Sequence, residues 1–250
     1  MLQIVPIPAF RDNYIWLLHN SRYAIVVDPG DTLPVQKMLS SLNLQLSDIL
    51  ITHYHDDHIG GVEALIQHYQ ANVYAPRYGR YTFQHYAIGE GDKVSMPLVG
   101  LNFQTMWLPG HTQDHIAYLS DKLLFCGDVL FGAGCGRLLD GTPDQMLQSL
   151  NRLKKLPVET RVFCAHEYTL QNIAFALTLE PNNPDLIERQ HETSRLREQN
   201  LPSLPSTIDL ELKTNPFLRC QQADVIKHSR AENPDELSVF AAIRKLKNNY

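Results

Sequence analysis

Thr52-His53-Tyr54-His55-Asp56-Asp57-His58 sets three histidines and two aspartates in seven positions, directly after the apolar run 49–51. His53 and His55 are separated by one residue, so in an extended segment their side chains point the same way and can reach one metal ion. Asp57 and His58 fall where the chain turns into a helix and face a second point a few ångströms on. Behind them Val62, Leu65, Ile66 and Tyr69 recur at i, i+3, i+4 and i+7, which predicts a helix over 57–69 with a loop at its front. The unit is strand, ligand-bearing loop, helix.

Outward from this stretch the same unit recurs. Upstream, 2–5, 14–18 and 23–27 read as short strands, with His19-Asn20-Ser21-Arg22 as a hairpin connection, and 32–42 as a helix. Downstream, a strand at 101–108 is ended by Pro109-Gly110, a hairpin runs over 116–126, and Gly127-Asp128 ends it. Thr142-Pro143-Asp144-Gln145 has a capping Thr, a Pro at the first helical position and a Gln three residues after the cap, predicting a helix to about Leu156. A last strand, 161–165, carries His166 at its end. Beyond Tyr168 helical runs take over at 170–179, 184–200 and 234–247, with 200–216 read as irregular. The pattern predicts an α/β (α+β) metal domain over 1–167 and a helical domain over 168–250.

His111, Asp128 and His166 join the first ligands, because each follows a predicted strand and chain ends at one sheet edge can converge. The arrangement this favours gives His53, His55 and His111 to one ion, Asp57, His58 and His166 to the other, and lets Asp128 bridge them. Imidazole and carboxylate without thiolate suit zinc, with iron or manganese as alternatives, so two zinc ions per chain are expected. A water between two cations loses a proton near neutral pH and becomes a hydroxide nucleophile, which makes hydrolysis the default chemistry. Asp28 and Thr52 read as residues orienting the ligands; for Asp28 a turn-forming role before Pro29-Gly30 fits equally well. The other histidines read as surface or core residues, with His115 lying nearest to His111.

Composition narrows the class. The chain has 250 residues, 44% hydrophobic and 20% charged, with a net charge of −5, which is ordinary for a folded protein and unfavourable for a nucleic-acid partner. No apolar run approaches the ~20 residues of a membrane helix, and no signal-peptide pattern precedes Arg11. Cys126, Cys135, Cys164 and Cys220 show no paired spacing and read as free thiols of a reducing compartment, implying a cytoplasmic location. A monomer is expected.

The set Thr52-His-x-His-x-Asp-His58, Pro109-Gly110-His111-Thr112, Gly127-Asp128 and His166 resembles the metallo-β-lactamase superfamily, whose fold is an αββα sandwich. Finer motifs resemble glyoxalase II, the hydroxyacylglutathione hydrolase family, which adds a C-terminal helical domain. They are Ile7-Pro-Ala-Phe-Arg-Asp-Asn-Tyr-Ile-Trp16, Val27-Asp-Pro-Gly-Asp31, Leu124-Phe-Cys-Gly-Asp128, Gly134-Cys-Gly-Arg137, Cys164-Ala-His-Glu-Tyr-Thr169 and Asn215-Pro-Phe-Leu-Arg219. The resemblance implies a thioester hydrolase that converts S-(D)-lactoylglutathione to glutathione and D-lactate, the second step of methylglyoxal removal. Asp57 and Asp128 would serve the metal-bound hydroxide, and Arg137, Tyr168 and Arg219 would contact the glutathione. Arg137 and Leu139 stand where many of the family carry Lys and Tyr, a departure that bears on affinity and acyl selectivity. The competing readings are another hydrolase on the same scaffold, such as a lactonase or phosphodiesterase, a persulfide dioxygenase, and a non-catalytic metal-binding protein. The complete ligand set disfavours the last two.

Overall fold

Pro6 and Pro8 do not end the first strand. In the computed structural model, which describes residues 2–250, β1 (Gln3–Ala9) runs through both. It can do so because β1 is the edge of its sheet, where a missing N–H breaks no ladder. Two compact units make up the chain. The first runs to Trp107 and includes Asp114–Gly127; the second holds Leu108–Gln113 and Asp128–Tyr250.

In the first unit β1 is followed by β2 (Asn13–His19), β3 (Tyr23–Val27), α1 (Thr32–Ser41), β4 (Gln45–Leu50), α2 (Asp56–Ile59), α3 (Val62–Tyr69), β5 (Asn72–Pro76) and β6 (Tyr86–Ile88). β7 (Lys93–Met96), β8 (Leu101–Trp107), β9 (Ile116–Ser120) and β10 (Leu123–Gly127) complete it. The six strands β1 to β6 form one sheet in chain order, antiparallel up to β3 and parallel from there. Parallel neighbours need crossovers: α1 lies between β3 and β4 and α3 between β4 and β5, while residues 77–85 join β5 to β6 without a helix. One face packs Ile15, Leu17, Val26 and Ile49 against Val35, Leu39, Val62 and Leu65 of these helices. β7 to β10 form an antiparallel meander. The Tyr118 hydroxyl on β9 donates to the carbonyls of Ile51 (2.8 Å) and Tyr74 (3.0 Å), tying the meander to the first sheet. With cover on both faces, β2 and β3 are almost entirely apolar rather than alternating.

The expected hairpin at 19–22 is present: the Asn20 side chain accepts from the backbone N–H of Arg22 and Tyr23 at 2.8 Å each. The single helix expected over 57–69 is instead two, α2 and α3, broken at Gly60-Gly61. The loop after β3 presses there, and a Cβ would lie 2.7 Å from the Gly30 carbonyl at Gly60 and 2.6 Å from the Pro29 carbonyl at Gly61. The runs that become β5, β6 and β7 are three to five residues long, too short to show a period.

The second unit holds β11 (Leu130–Phe131), β12 (Gly134–Cys135), α4 (Pro143–Leu153), β13 (Arg161–Cys164), α5 (Thr169–Leu179), α6 (Pro184–Glu198), β14 (Ser206–Thr207), α7 (Ile208–Thr214), a 3-10 turn at Pro216–Leu218, α8 (Ala223–Ser229) and α9 (Glu236–Asn248). The capping box of α4 forms as expected, with Thr142 and Gln145 exchanging two hydrogen bonds. The 200–216 stretch is not irregular throughout, since β14 pairs with β13 and Thr207 caps α7. The inward positions of α7 are Ile208, Glu211 and Thr214, and a buried carboxylate among them hides the apolar stripe from a pattern reading. Phe217 joins Phe175 and Phe240 in the helical core, with ring centroids 6.3 and 5.7 Å away. No helix is long and apolar enough to cross a membrane among the described residues.

Candidate active site

The parallel strands β3 and β4 end side by side, so the loops leaving their C-terminal ends are neighbours. This is where an open α/β sheet offers a crevice. Asp28, at φ 53°, stands at the end of β3 and Thr52 just past β4. Asp28 accepts from the Thr52 N–H (2.8 Å) and the Thr52 hydroxyl (2.7 Å), and a third contact runs to His58 Nδ1 at 3.1 Å. Asp28 thus makes the turn and lies beside His58, whose Nε2 faces Asp57 at 3.5 Å. The Thr52 hydroxyl gives its proton to Asp28, so at 3.0 Å from His53 Nδ1 it accepts from that nitrogen and leaves Nε2 unprotonated. His53 Nε2 and His55 Nδ1 are 2.9 Å apart, close enough to flank a shared cation or proton. Asn13, a polar residue at the head of an apolar strand, donates to Asp57 Oδ2 at 3.0 Å. Its place inside the Ile7–Trp16 motif was the available signal. His115 is fully buried and its ring stacks on His53 at 4.8 Å, so it belongs to the core beneath the ligand loop.

The second unit gathers His111, Asp128 and His166. His111 Nε2 lies 3.4 Å from one carboxylate oxygen of Asp128 and His166 Nε2 lies 3.4 Å from the other. One carboxylate thus presents each oxygen to a different imidazole, the posture a bridging ligand needs. His111 Nδ1 is 2.8 Å from the Arg137 carbonyl and must donate to it, which again leaves Nε2 as the available ligand nitrogen. Imidazole nitrogens with preset tautomers, carboxylate oxygens and no thiolate make a donor set that fits divalent zinc, iron or manganese.

Asp128 and His111 stand in the wall of an open cavity of about 690 Å³ within the second unit. Phe131, Cys135, Leu139 and Tyr168 line it with apolar surface, and Arg137, Arg244 and Lys247 line it with positive charge. Burial, then the like charges of Arg244 and Arg137, push the Lys247 ammonium down to about 8. Burial raises the Cys135 thiol, while Arg244, 3.6 Å from the sulfur, partly opposes this. The volume lies within the roughly 300–1,000 Å³ typical of small-molecule sites.

The hydroxyacylglutathione hydrolase C-terminus profile matches residues 167–250, and the metallo-β-lactamase superfamily profile matches 9–166. A hydroxyacylglutathione hydrolase of Methylobacillus flagellatus is 53% identical over the full length of both chains. The chain belongs to the hydroxyacylglutathione hydrolase family. Among solved structures it is similar to ETHE1 from Myxococcus xanthus (26% identity, TM-score 0.67, covering 99% of this chain and 98% of that one). It is also similar to TTHA1623 in a di-iron-bound form (26%, TM-score 0.62, 86% and 100%). The fold is that of the metallo-β-lactamase superfamily with the family's helical C-terminal domain.

Of the residues this family resemblance assigns to glutathione, Arg137 and Tyr168 line the cavity. Arg219 is engaged elsewhere. Its Nε and Nη2 donate to Glu180 at 2.8 and 2.7 Å, and Nη1 donates to the Leu212 carbonyl at 3.0 Å. Sequence reasoning gives 234–247 only as a helical run and does not reach Arg244 and Lys247. The signal lay in the spacing: Arg244 follows Phe240 by four positions on the buried stripe of α9, and Lys247 follows by three more.

Proposed function

We propose that the chain hydrolyses S-(2-hydroxyacyl)glutathione thioesters, chiefly S-(D)-lactoylglutathione, to glutathione and the 2-hydroxy acid, here D-lactate, as a step of methylglyoxal detoxification. The observation that carries this reading is the cavity itself, with a candidate metal ligand, Asp128, in the same wall as three cations. Glutathione bears two carboxylates on a flexible tripeptide, and Arg137, Arg244 and Lys247 supply the matching charges. Tyr168 and Phe131 offer flat surfaces to the peptide, and the carbonyl end is left toward Asp128 and His111. A contact from Arg219 to glutathione, inferred from the family, requires its Glu180 pair to open. Residues 168–250 are read as the glutathione-binding domain on the metal domain 1–167.

His53, His55 and His111 are proposed as ligands of one ion and Asp57, His58 and His166 of the other, with Asp128 shared. Zinc is the favoured metal; the di-iron relative supports iron as an alternative. Bound divalent ions supply a polarised thioester carbonyl and a water acidic enough to attack it near neutral pH. The protein's own part is orientation. Thr52 fixes the His53 imidazole and the Arg137 carbonyl that of His111, Asp28 sets a carboxylate beside His58, and Asn13 fixes Asp57. The leaving thiolate has an unperturbed pKa of ~8.5 and departs without a strong acid, so no general acid is assigned. The four cysteines are free and buried, which supports a reducing, cytoplasmic setting, and the chain is read as a monomer.

The test is the initial rate with S-(D)-lactoylglutathione, using metal-loaded and chelator-stripped protein. The expected kcat/KM of the loaded form exceeds about 10⁴ M⁻¹s⁻¹, and the stripped form is inactive. A loaded, folded protein with no thioesterase activity would refute the substrate.

A further inference from the structure

Six consecutive residues of the second unit, Leu130 to Cys135, form a hairpin too short to hold itself. β11 and β12 pair through only Leu130↔Cys135 and Phe131↔Gly134, and Ala133 sits at φ 53° without being glycine. Such a turn persists only when its surroundings impose it. Here three buried side chains from the helical region do so. Asn172 donates to the Gly132 carbonyl at 3.0 Å. Asn215 donates to the Gly134 carbonyl at 2.9 Å and the Phe131 carbonyl at 3.2 Å. Glu211 accepts from the Ala133 N–H at 2.9 Å and, with the same oxygen, from Asn215 at 2.9 Å. Its other oxygen takes Arg189 at 2.6 Å and the Ser206 hydroxyl at 2.5 Å.

Glu211 and Asn215 are both fully buried. A buried ion pair is weak evidence of stabilisation, because apolar groups of equal volume often do as well. An apolar replacement could not, however, accept from Ala133 or donate to two carbonyls. The cluster specifies the position of the hairpin. That position matters to the cavity: Phe131 and Cys135 line it, and the Phe131 ring stands edge-on to His166 (5.8 Å) and Tyr168 (5.3 Å). Arg244 hangs from the same element by a 2.8 Å bond to the Cys135 carbonyl.

We propose that Glu211 and Asn215 are positioning residues for the substrate cavity, acting through the β11–β12 hairpin on Phe131, Tyr168 and Arg244. The inference rests on the thioester reading and assigns the Asn215-Pro-Phe-Leu-Arg219 motif a new task. Its asparagine sets the wall that the glutathione meets.

The test compares Asn215→Ala with Arg189→Lys by hydrogen–deuterium exchange over residues 130–136 and by steady-state kinetics with S-(D)-lactoylglutathione. Melting temperature and metal content are read on the same samples. In Asn215→Ala, exchange over the hairpin is expected to quicken at least tenfold. KM should rise about tenfold with kcat within threefold and metal content unchanged, the order of loss that small misplacements produce. Arg189→Lys keeps a positive charge beside Glu211, whose contacts to Ala133 and Asn215 stay in place, but loses the bonds to Thr214 and Ser206. It should therefore melt earlier yet hold KM within threefold, a dissociation that a merely structural role does not give. Should Asn215→Ala not fold, Asn215→Leu keeps nearly the same volume and removes the two N–H donors without burying a second carboxylate beside Glu211. A KM that follows melting temperature in both variants, or is unchanged in the asparagine variant, overturns the positioning role. A wild-type protein that turns over no thioester overturns the reading of the site instead, and the exchange rates then judge the hairpin anchoring alone.

Discussion

Two of the proposed ligand histidines have one ring nitrogen engaged before any ion arrives, His53 by Thr52 and His111 by the Arg137 carbonyl, and His58 Nδ1 lies 3.1 Å from the Asp28 carboxylate. Fixing one nitrogen fixes the tautomer, the ring plane and the lone pair of the other. Asp28→Ala is therefore expected to weaken metal affinity by about 10- to 100-fold, read by competition with a chromophoric chelator. Unchanged affinity would leave Asp28 as a turn residue alone. Asp128→Ala removes the carboxylate that faces both His111 and His166, and activity and metal content should fall together; an active, fully loaded variant would end the bridging assignment. Lys247 gives a pH signature. Its ammonium is held down to about 8, so it is charged below that value and loses its charge as pH rises through it. KM should therefore climb between pH 7.5 and 9. Lys247→Arg, which keeps its charge, should flatten the climb, and a wild-type KM independent of pH over this range would remove Lys247 from binding.

At the scale of elements, the capping box of α4 does more than start a helix. Gln145 bonds Thr142 and also Gln113, which in turn donates to the Asp140 carbonyl, so the segment 108–113 that carries His111 is pinned to the helix N-terminus. Thr142→Ala should lower stability by about 1 kcal/mol in urea denaturation, and no loss would mean the cap is redundant. The box was legible because its four residues are consecutive, as was the ligand loop after β4. The break between α2 and α3 was not legible, since it is imposed by Pro29 and Gly30 from another part of the chain. Nor was α7, whose buried stripe contains Glu211 and makes sense only beside Arg189 and Ala133.

For the whole molecule, ligand binding and folding are linked, because ions that bind the folded chain and not the unfolded one shift its stability by mass action. The metal-loaded protein should melt several degrees above the chelator-stripped protein, and equal melting temperatures would show that the ligand set does not hold ions in the fold. Local chemistry was legible in the order of residues alone: the His-x-His-x-Asp-His run, the strand-end positions of His111, Asp128 and His166, the capping box and the family motifs. Each depends on neighbours a few positions apart, where backbone geometry fixes which way a side chain points. Which distant groups meet was set by the packing of the folded chain. Arg244 meets Cys135 across 109 positions, Asn215 meets Phe131 across 84, and Arg219 turns to Glu180 instead of the cavity. Those pairings follow from burial, since a polar group taken out of water must find a partner wherever the fold has brought one.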